Sequence, residues 1–187
     1  MLFGLTDKLI GLDMRINVAQ LLKGPVGGTR TYELDEVDVT VDGQESKVWG
    51  KVNLMRTSRS ILVTGTLHTE VKCECSRCLA TFTCPLTLKI EEEYFPTIDI
   101  ITGTRVPVPD ASSFTIDEHN ELDLAEAIRQ YAIMELPMKP LCRESCAGFC
   151  ATCGHNLNEG ECRCPTGHID PRWLQLLEKV NERKGTK

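Results

Sequence analysis

The sequence is poor in aromatic residues, with two Trp, three Tyr and five Phe in 187. Its core must therefore rest on Leu, Ile and Val, whose burial contributes roughly 25 cal/mol per Å² of apolar surface. No apolar run approaches the ~20 residues needed to cross a bilayer, so no membrane association is expected. Residues 1–12 are apolar in places, but Asp7 and Lys8 interrupt them and no small-residue cleavage site follows. A secretory signal is therefore not expected. The chain also lacks a His-Glu-x-x-His pair, a glycine-rich phosphate loop and a credible Ser/His/Asp order, so no catalytic residue and no small-molecule substrate is assigned. Excess positive charge is missing as well. The net charge is -6, and phosphate affinity comes mainly from Lys and Arg, so the chain is expected to be a poor generic nucleic-acid binder. Any contact with RNA must use a local patch or pass through a protein partner.

Cysteine, by contrast, is abundant, with ten residues. A disulfide framework needs an oxidising compartment, and nothing in the sequence directs export. In a reducing cytoplasm, close cysteine pairs read as metal ligands. Eight of the ten form four such pairs: Cys75 with Cys78, Cys142 with Cys146, Cys150 with Cys153, and Cys162 with Cys164. A tight turn between paired cysteines brings two thiolates to one zinc ion at about 2.3 Å. Loop closure costs more as the loop lengthens, which favours Cys150, Cys153, Cys162 and Cys164 sharing one ion. Cys75 and Cys78 would then share a second with Cys142 and Cys146 and hold the tail to the sheet. The blander alternative is a single tail site, with Cys75 and Cys78 merely packed at a turn.

Between Tyr32 and Ile90 the sequence alternates with period two, as half-buried strands do. Val37, Val39 and Val41 share one face, and so do Val48, Val52 and Leu54. The next run places Ile61, Val63, Leu67, Val71, Cys73 and Cys75 on one face, and after a turn Ala80, Phe82, Cys84, Leu86, Leu88 and Ile90. Asp42-Gly43 and the segment 57–60 suit hairpin turns. The segment 96–113, with three prolines and a glycine, reads as a loop. Helical period then appears over residues 123–136, with Leu124, Ala127, Ile128, Tyr131 and Met134 on one stripe. Asp123 and Glu126 make a capping-box-like start, and Pro137 and Pro140 end the helix. A short last helix is expected from Asp170-Pro171, with Trp173, Leu177 and Val180 along one side.

The expected class is α+β. An antiparallel meander curled toward a barrel, with one packed helix, forms a β-rich domain over residues 1–140. A zinc-stapled cysteine-rich module and the short C-terminal helix occupy residues 141–187. That module carries only Leu141, Phe149 and Leu157 as large apolar residues before Cys164, so metal must organise it. Two structural Zn²⁺ ions are expected.

Cys73 and Cys84 are expected to act as small buried hydrophobes. His155 and His168 lie near the cluster and could replace a thiolate, although eight cysteines already suffice for two tetrahedral sites. His68 is expected to face solvent. Arg77, Arg143 and Arg163 either offset thiolate charge or reach phosphate. Glu91, Glu92 and Glu93 read as a solvated strand end. Two further function classes compete with a binding factor. One is a thiol-redox enzyme or sensor using the Cys-x-x-Cys pairs, which would need an exposed thiolate of depressed pKa. The other is a zinc-dependent nuclease, which would need an open coordination position.

The segment Glu74-Cys75-Ser76-Arg77-Cys78-Leu79 resembles the signature of the YceD family of large ribosomal RNA subunit accumulation proteins. The tail from Leu141 to Cys150, followed by Cys153-Gly154-His155-Asn156-Leu157-Asn158-Glu159-Gly160, resembles that family's cysteine-rich version. Ile16–Leu22 with Gly27-Gly28-Thr29-Arg30 is similar to its N-terminal segment. The resemblance runs from Met14 to Cys164, leaves residues 1–13 outside and matches the last helix only loosely. Cys73 and Cys84 depart from the family pattern. The resemblance implies a cytoplasmic, non-enzymatic factor that supports large-subunit ribosomal RNA. Its partner would be a large-subunit precursor, met through ribosomal RNA or a ribosomal protein. The C-terminal Arg172, Lys179, Arg183, Lys184 and Lys187, against only Glu178 and Glu182, form a candidate RNA patch.

Overall fold

A computed structural model describes residues 6–9 (backbone only), 14–164 and 173. The expected last helix, the basic patch around it and His168 lie outside these residues. The chain divides into two compact units. One takes the residues up to Ser76 together with Ala80–Cys142, and the other takes Arg77–Leu79 and the chain from Arg143 onward.

The larger unit is built on one sheet. Its strands are β1 (Thr6–Leu9), β2 (Arg15–Asn17), β3 (Thr29–Val41), β4 (Gln44–Arg56), β5 (Ile61–Glu74), β6 (Thr81–Pro96), β7 (Phe114–Ile116) and β8 (Glu121–Asp123). Their spatial order is β1-β3-β4-β5-β6-β7-β8-β2. Strands β3 to β6 form the expected antiparallel meander. Parallel pairs β1–β3 and β6–β7 extend it, and the sheet curls into a half-barrel. Two helices accompany it among the described residues: α1 (Ala19–Lys23) and α2 (Ala125–Glu135). The short elements β2, α1, β7 and β8 carry too little periodicity to announce themselves.

The meander follows from alternation and turn chemistry. Val37, Val39, Val41, Val48, Val52, Leu54, Ile61, Val63 and Leu67 are all buried, and their polar neighbours within the strands are exposed or half-buried. Asp42 (φ 48°) and Gly43 (φ 75°) both take left-handed conformations, as a type I′ hairpin turn requires. Thr57 accepts the amides of Arg59 and Ser60 on its Oγ1 at 3.3 and 3.0 Å, which tightens the next turn.

Two features bend the sheet. One is a bulge in β3, where the register shifts between Leu34 and Val37 and Glu36 sits at φ 49°. The other is a pair of glycines on adjacent strands. Gly50 opposes Leu67, and Gly65 opposes Val52. A Cβ at Gly50 would meet the Thr66 carbonyl oxygen at 2.4 Å, and one at Gly65 the Lys51 carbonyl oxygen at 2.5 Å. The backbones thus approach more closely than any side chain allows, as at a tight bend.

Helix α2 packs on β6 and β3 through Ala127, Ile128 and Ala132. Here the expected stripe needs correction, because Met134 is exposed and Ala132 is buried instead. At about 100° per residue, Met134 lies well off the line through Ile128 and Ala132. The capping box also fails. Asp123 Oδ1 does accept the Ala125 amide at 2.8 Å, but Glu126 turns away to hold Arg129 and Gln130. Tyr94 is buried, stacks on Phe114 at 5.1 Å and donates its hydroxyl to the Asp123 carbonyl at 3.1 Å. Thr69 is also buried inside the sheet, and its Oγ1 has no hydrogen-bond partner.

Candidate metal centre

The eight paired cysteines fall into two groups of four. In each group the sulfurs all lie within 4.8 Å of one another: Cys75, Cys78, Cys142 and Cys146 in one, and Cys150, Cys153, Cys162 and Cys164 in the other. This is the division that loop length favours. Four sulfurs around one zinc at about 2.3 Å would stand roughly 3.8 Å apart, so both groups need only a small contraction to become tetrahedral. Cys75 and Cys146 are buried, whereas Cys153 is exposed.

Local structure explains the second group. The Cys150 amide donates to the His155 carbonyl at 2.8 Å, and the Gly154 amide returns to the Cys150 carbonyl at 2.8 Å. Gly154 takes φ 73° to make that return, a conformation glycine adopts without penalty. The Thr152 amide points at Cys150 Sγ, 3.4 Å away. Phe149 and Asn156 bridge across the hairpin, and the Leu157 amide reaches the Gly148 carbonyl at 2.9 Å. The loop thus turns on itself and aims its backbone donors at sulfur.

Those donors bias which thiol ionises. The amides of Cys153 and Thr152 bring Cys150 down to about 6, while Cys164 is pushed up to about 12 by sharing its proton with Cys153. Four crowded thiols cannot all become anions unless a cation sits among them. A divalent ion relieves that conflict, so the donor set fits zinc by its chemistry as well as its spacing.

In the first group, the Cys75 amide donates to the Ala80 carbonyl at 2.9 Å and Leu79 takes φ 58°. This turns the chain at the end of β5. The Cys146 amide donates to the Arg143 carbonyl at 3.1 Å. Sequence reasoning missed Asn158. Its Nδ2 lies 3.4 Å from Cys146 Sγ, while its Oδ1 accepts from Arg143 at 2.6 Å and from the Ala147 amide at 2.9 Å. The only clue was the Asn-x-Asn spacing, because Asn156 Oδ1 accepts the Asn158 amide at 3.1 Å in a local turn.

Other candidates resolve differently. Arg77 spends its Nη1 on the carbonyls of Glu144 and Cys146, at 3.3 and 3.0 Å. Arg143 is held by Asn158, so both arginines brace the chain. His155 is exposed and lies outside both sulfur groups. His68 is half-buried instead of solvent-facing, 6.2 Å from the Trp49 ring and with Nδ1 3.3 Å from Thr87 Oγ1. Cys73 and Cys84 pack against the core as expected, and burial with its neighbour Cys84 pushes the Cys73 thiol up. No helix among the described residues is long and apolar enough to cross a membrane.

Comparison with known proteins adds what geometry cannot. Residues 63–178 match the family described as large ribosomal RNA subunit accumulation protein YceD. The chain belongs to the YceD family. It is 32% identical over 136 residues to uncharacterized proteins of Mycobacterium tuberculosis and Mycobacterium bovis, an alignment covering 69% of this chain and 60% of each relative. It is also 30% identical over 71 residues to a chloroplastic large ribosomal RNA subunit accumulation protein, YCED homolog 1, of Arabidopsis thaliana. That alignment covers 36% of this chain and 22% of the plant protein. The chain thus spans about 60% of the length of the mycobacterial relatives it matches. No solved structure matches it significantly. The YceD family description names large ribosomal RNA subunit accumulation, and the cysteine geometry gives two groups that could each hold a metal ion.

Proposed function

We propose that the protein is a cytoplasmic, non-enzymatic, zinc-binding factor that supports accumulation of large-subunit ribosomal RNA by binding a precursor particle. The contact is made through RNA or a ribosomal protein. The observation that carries this reading is the family match, joined to two closed four-sulfur groups. Cys75, Cys78, Cys142 and Cys146 would hold one Zn²⁺ and Cys150, Cys153, Cys162 and Cys164 the other. An ion with four thiolate ligands keeps no open position for water or substrate, so it supplies folding energy and not Lewis-acid chemistry. In this reading the β-rich body of residues 1–140 and the module of residues 141–187 act as a platform for partners. The thiol-redox alternative draws some support from the depressed Cys150 thiol. That depression arises beside three other sulfurs, where a metal and not a second thiol satisfies the charge.

The test uses the tagged full chain. It should co-sediment with large-subunit precursors, and its depletion should lower large-subunit RNA relative to small-subunit RNA. Absence of both effects refutes the reading. Zinc-free protein whose thiols titrate rapidly under native conditions would favour the redox alternative.

A further inference from the structure

A cleft of about 230 Å³ opens in the larger unit between the β4–β5 turn and the loop that follows β6. It is too small for a large cofactor, since drug-sized ligands occupy roughly 300–1,000 Å³. It is nonetheless larger than the ~150 Å³ cavity that accepts benzene, so it suits one planar ring system. Much of its lining is apolar, including Leu22, Phe95, Ile98, Ile100 and Val106.

The polar groups of the walls are already occupied. Ser60 Oγ donates to Glu93, Thr57 Oγ1 caps its own turn, and Asp99 Oδ1 accepts the amides of Ile101 and Thr102 at 2.8 Å each. Two arginines also line the cleft. Arg59 is exposed and forms no ion pair with the described residues. Arg56 is held in place by the Gly24 carbonyl, so its guanidinium is positioned in advance. The lining therefore combines apolar side chains with two arginines against one carboxylate, Asp99, a local excess of positive charge on a protein whose net charge is negative.

We infer that this cleft binds one unstacked nucleotide of single-stranded RNA, with the base inside and a phosphate at Arg59. The inference deepens the function proposed above and rests on its RNA arm. A base held mainly by stacking and van der Waals contact with the apolar lining should be bound with tolerance of sequence. The two lining arginines suit the phosphate that such a base carries with it. The charge complementarity is local, which reconciles an acidic protein with an RNA ligand.

The test measures binding of a labelled single-stranded RNA of mixed sequence to the full-length zinc-loaded protein across a salt series. Arg59→Ala should weaken binding about tenfold and should flatten the slope of log K against log salt by about 0.7, as one lost phosphate contact requires. Val106→Trp, at an exposed wall position, should fill the cleft and weaken binding with the slope unchanged. A photoreactive base in the RNA should crosslink to the segment containing Phe95. If both variants bind as the parent does, or the crosslink lies elsewhere, the cleft inference falls while co-sedimentation with precursors can still stand. If the parent binds no RNA, or the cleft takes an acidic peptide in its place, the inference falls as well. Loss of co-sedimentation in the parent protein would instead count against the function itself.

Discussion

Replacing Cys150 and Cys153 together with serine is the most direct test of the metal reading. Both side chains belong to the sulfur group of the smaller unit, and neither is deeply buried, so the exchange disturbs little packing. The unit has few other resources. Phe149 is 45% exposed and Leu79 is 57% exposed. A half-buried Phe contributes about 1.5 kcal/mol at most, whereas a structural zinc ion contributes about 10–16 kcal/mol. Losing even the lower figure raises the local opening constant by about seven powers of ten. Metal analysis should find about one zinc per chain in the double variant against about two in the parent. Amide exchange should show the Cys150, Gly154 and Leu157 amides, which close the hairpin, exchanging at the rate of an open chain. Strands β5 and β6 should keep their protection, since their ladder does not depend on these thiols. His155→Ala serves as the control and should leave the metal count unchanged. Two zinc ions in the double variant, or a Leu157 amide as slow as in the parent, would refute the argument.

Three further outcomes are expected. Cys75→Ser with Cys78→Ser should also leave one zinc of two, and an unchanged count would restore the single-site alternative. Gly65→Ala forces a Cβ to within 2.5 Å of the Lys51 carbonyl oxygen and should destabilise the larger unit by about 1–3 kcal/mol in urea denaturation; a neutral result would remove the close-approach argument. Glu126 is brought down to about 2 by its hydrogen bonds to Arg129 and then Gln130. Its contribution should be present above the unfolded value of about 4.3 and lost as pH falls toward 2. The pair is solvent-exposed, so Glu126→Gln should cost only a few tenths of a kcal/mol at neutral pH, roughly the worth of a surface pair. A cost that persists unchanged to low pH would contradict this.

The legible parts of this protein were those written in periodic or paired residues. Val37, Val39 and Val41, and Ile61, Val63 and Leu67, announce their strands because every second side chain must leave water. Cys-x-x-Cys spacing announces the thiolate pairs, and loop length suggests how they combine. The bend at Gly50 and Gly65 was not legible, because a glycine in a strand does not say which backbone approaches it. Glu36 at φ 49° was hidden for a similar reason, since a bulge inserts one residue without disturbing the alternation on either side. Thr69 shares the inward parity of Leu67 and Val71, and the register places it opposite Val48 and Leu86. The cleft was invisible in sequence because Leu22, Arg59 and Phe95 meet only through tertiary structure. Asn158 escaped as well, because side-chain amides that hold sulfur ligands have no spacing rule.

The pairing of β2 with β8 carries a consequence for how the chain folds. Strands β3 to β6 join neighbours in sequence, so each hairpin can close as soon as its second strand exists. Residues 15–17 instead pair with residues 121–123, which exist only after most of the chain has been made. During synthesis β2 must wait, with Ile16 exposed, while the meander zips up behind it. In a refolding experiment the Ile16 and Leu122 amides should therefore gain protection after those of Val63 and Leu88. The β2–β8 seam of the sheet closes last.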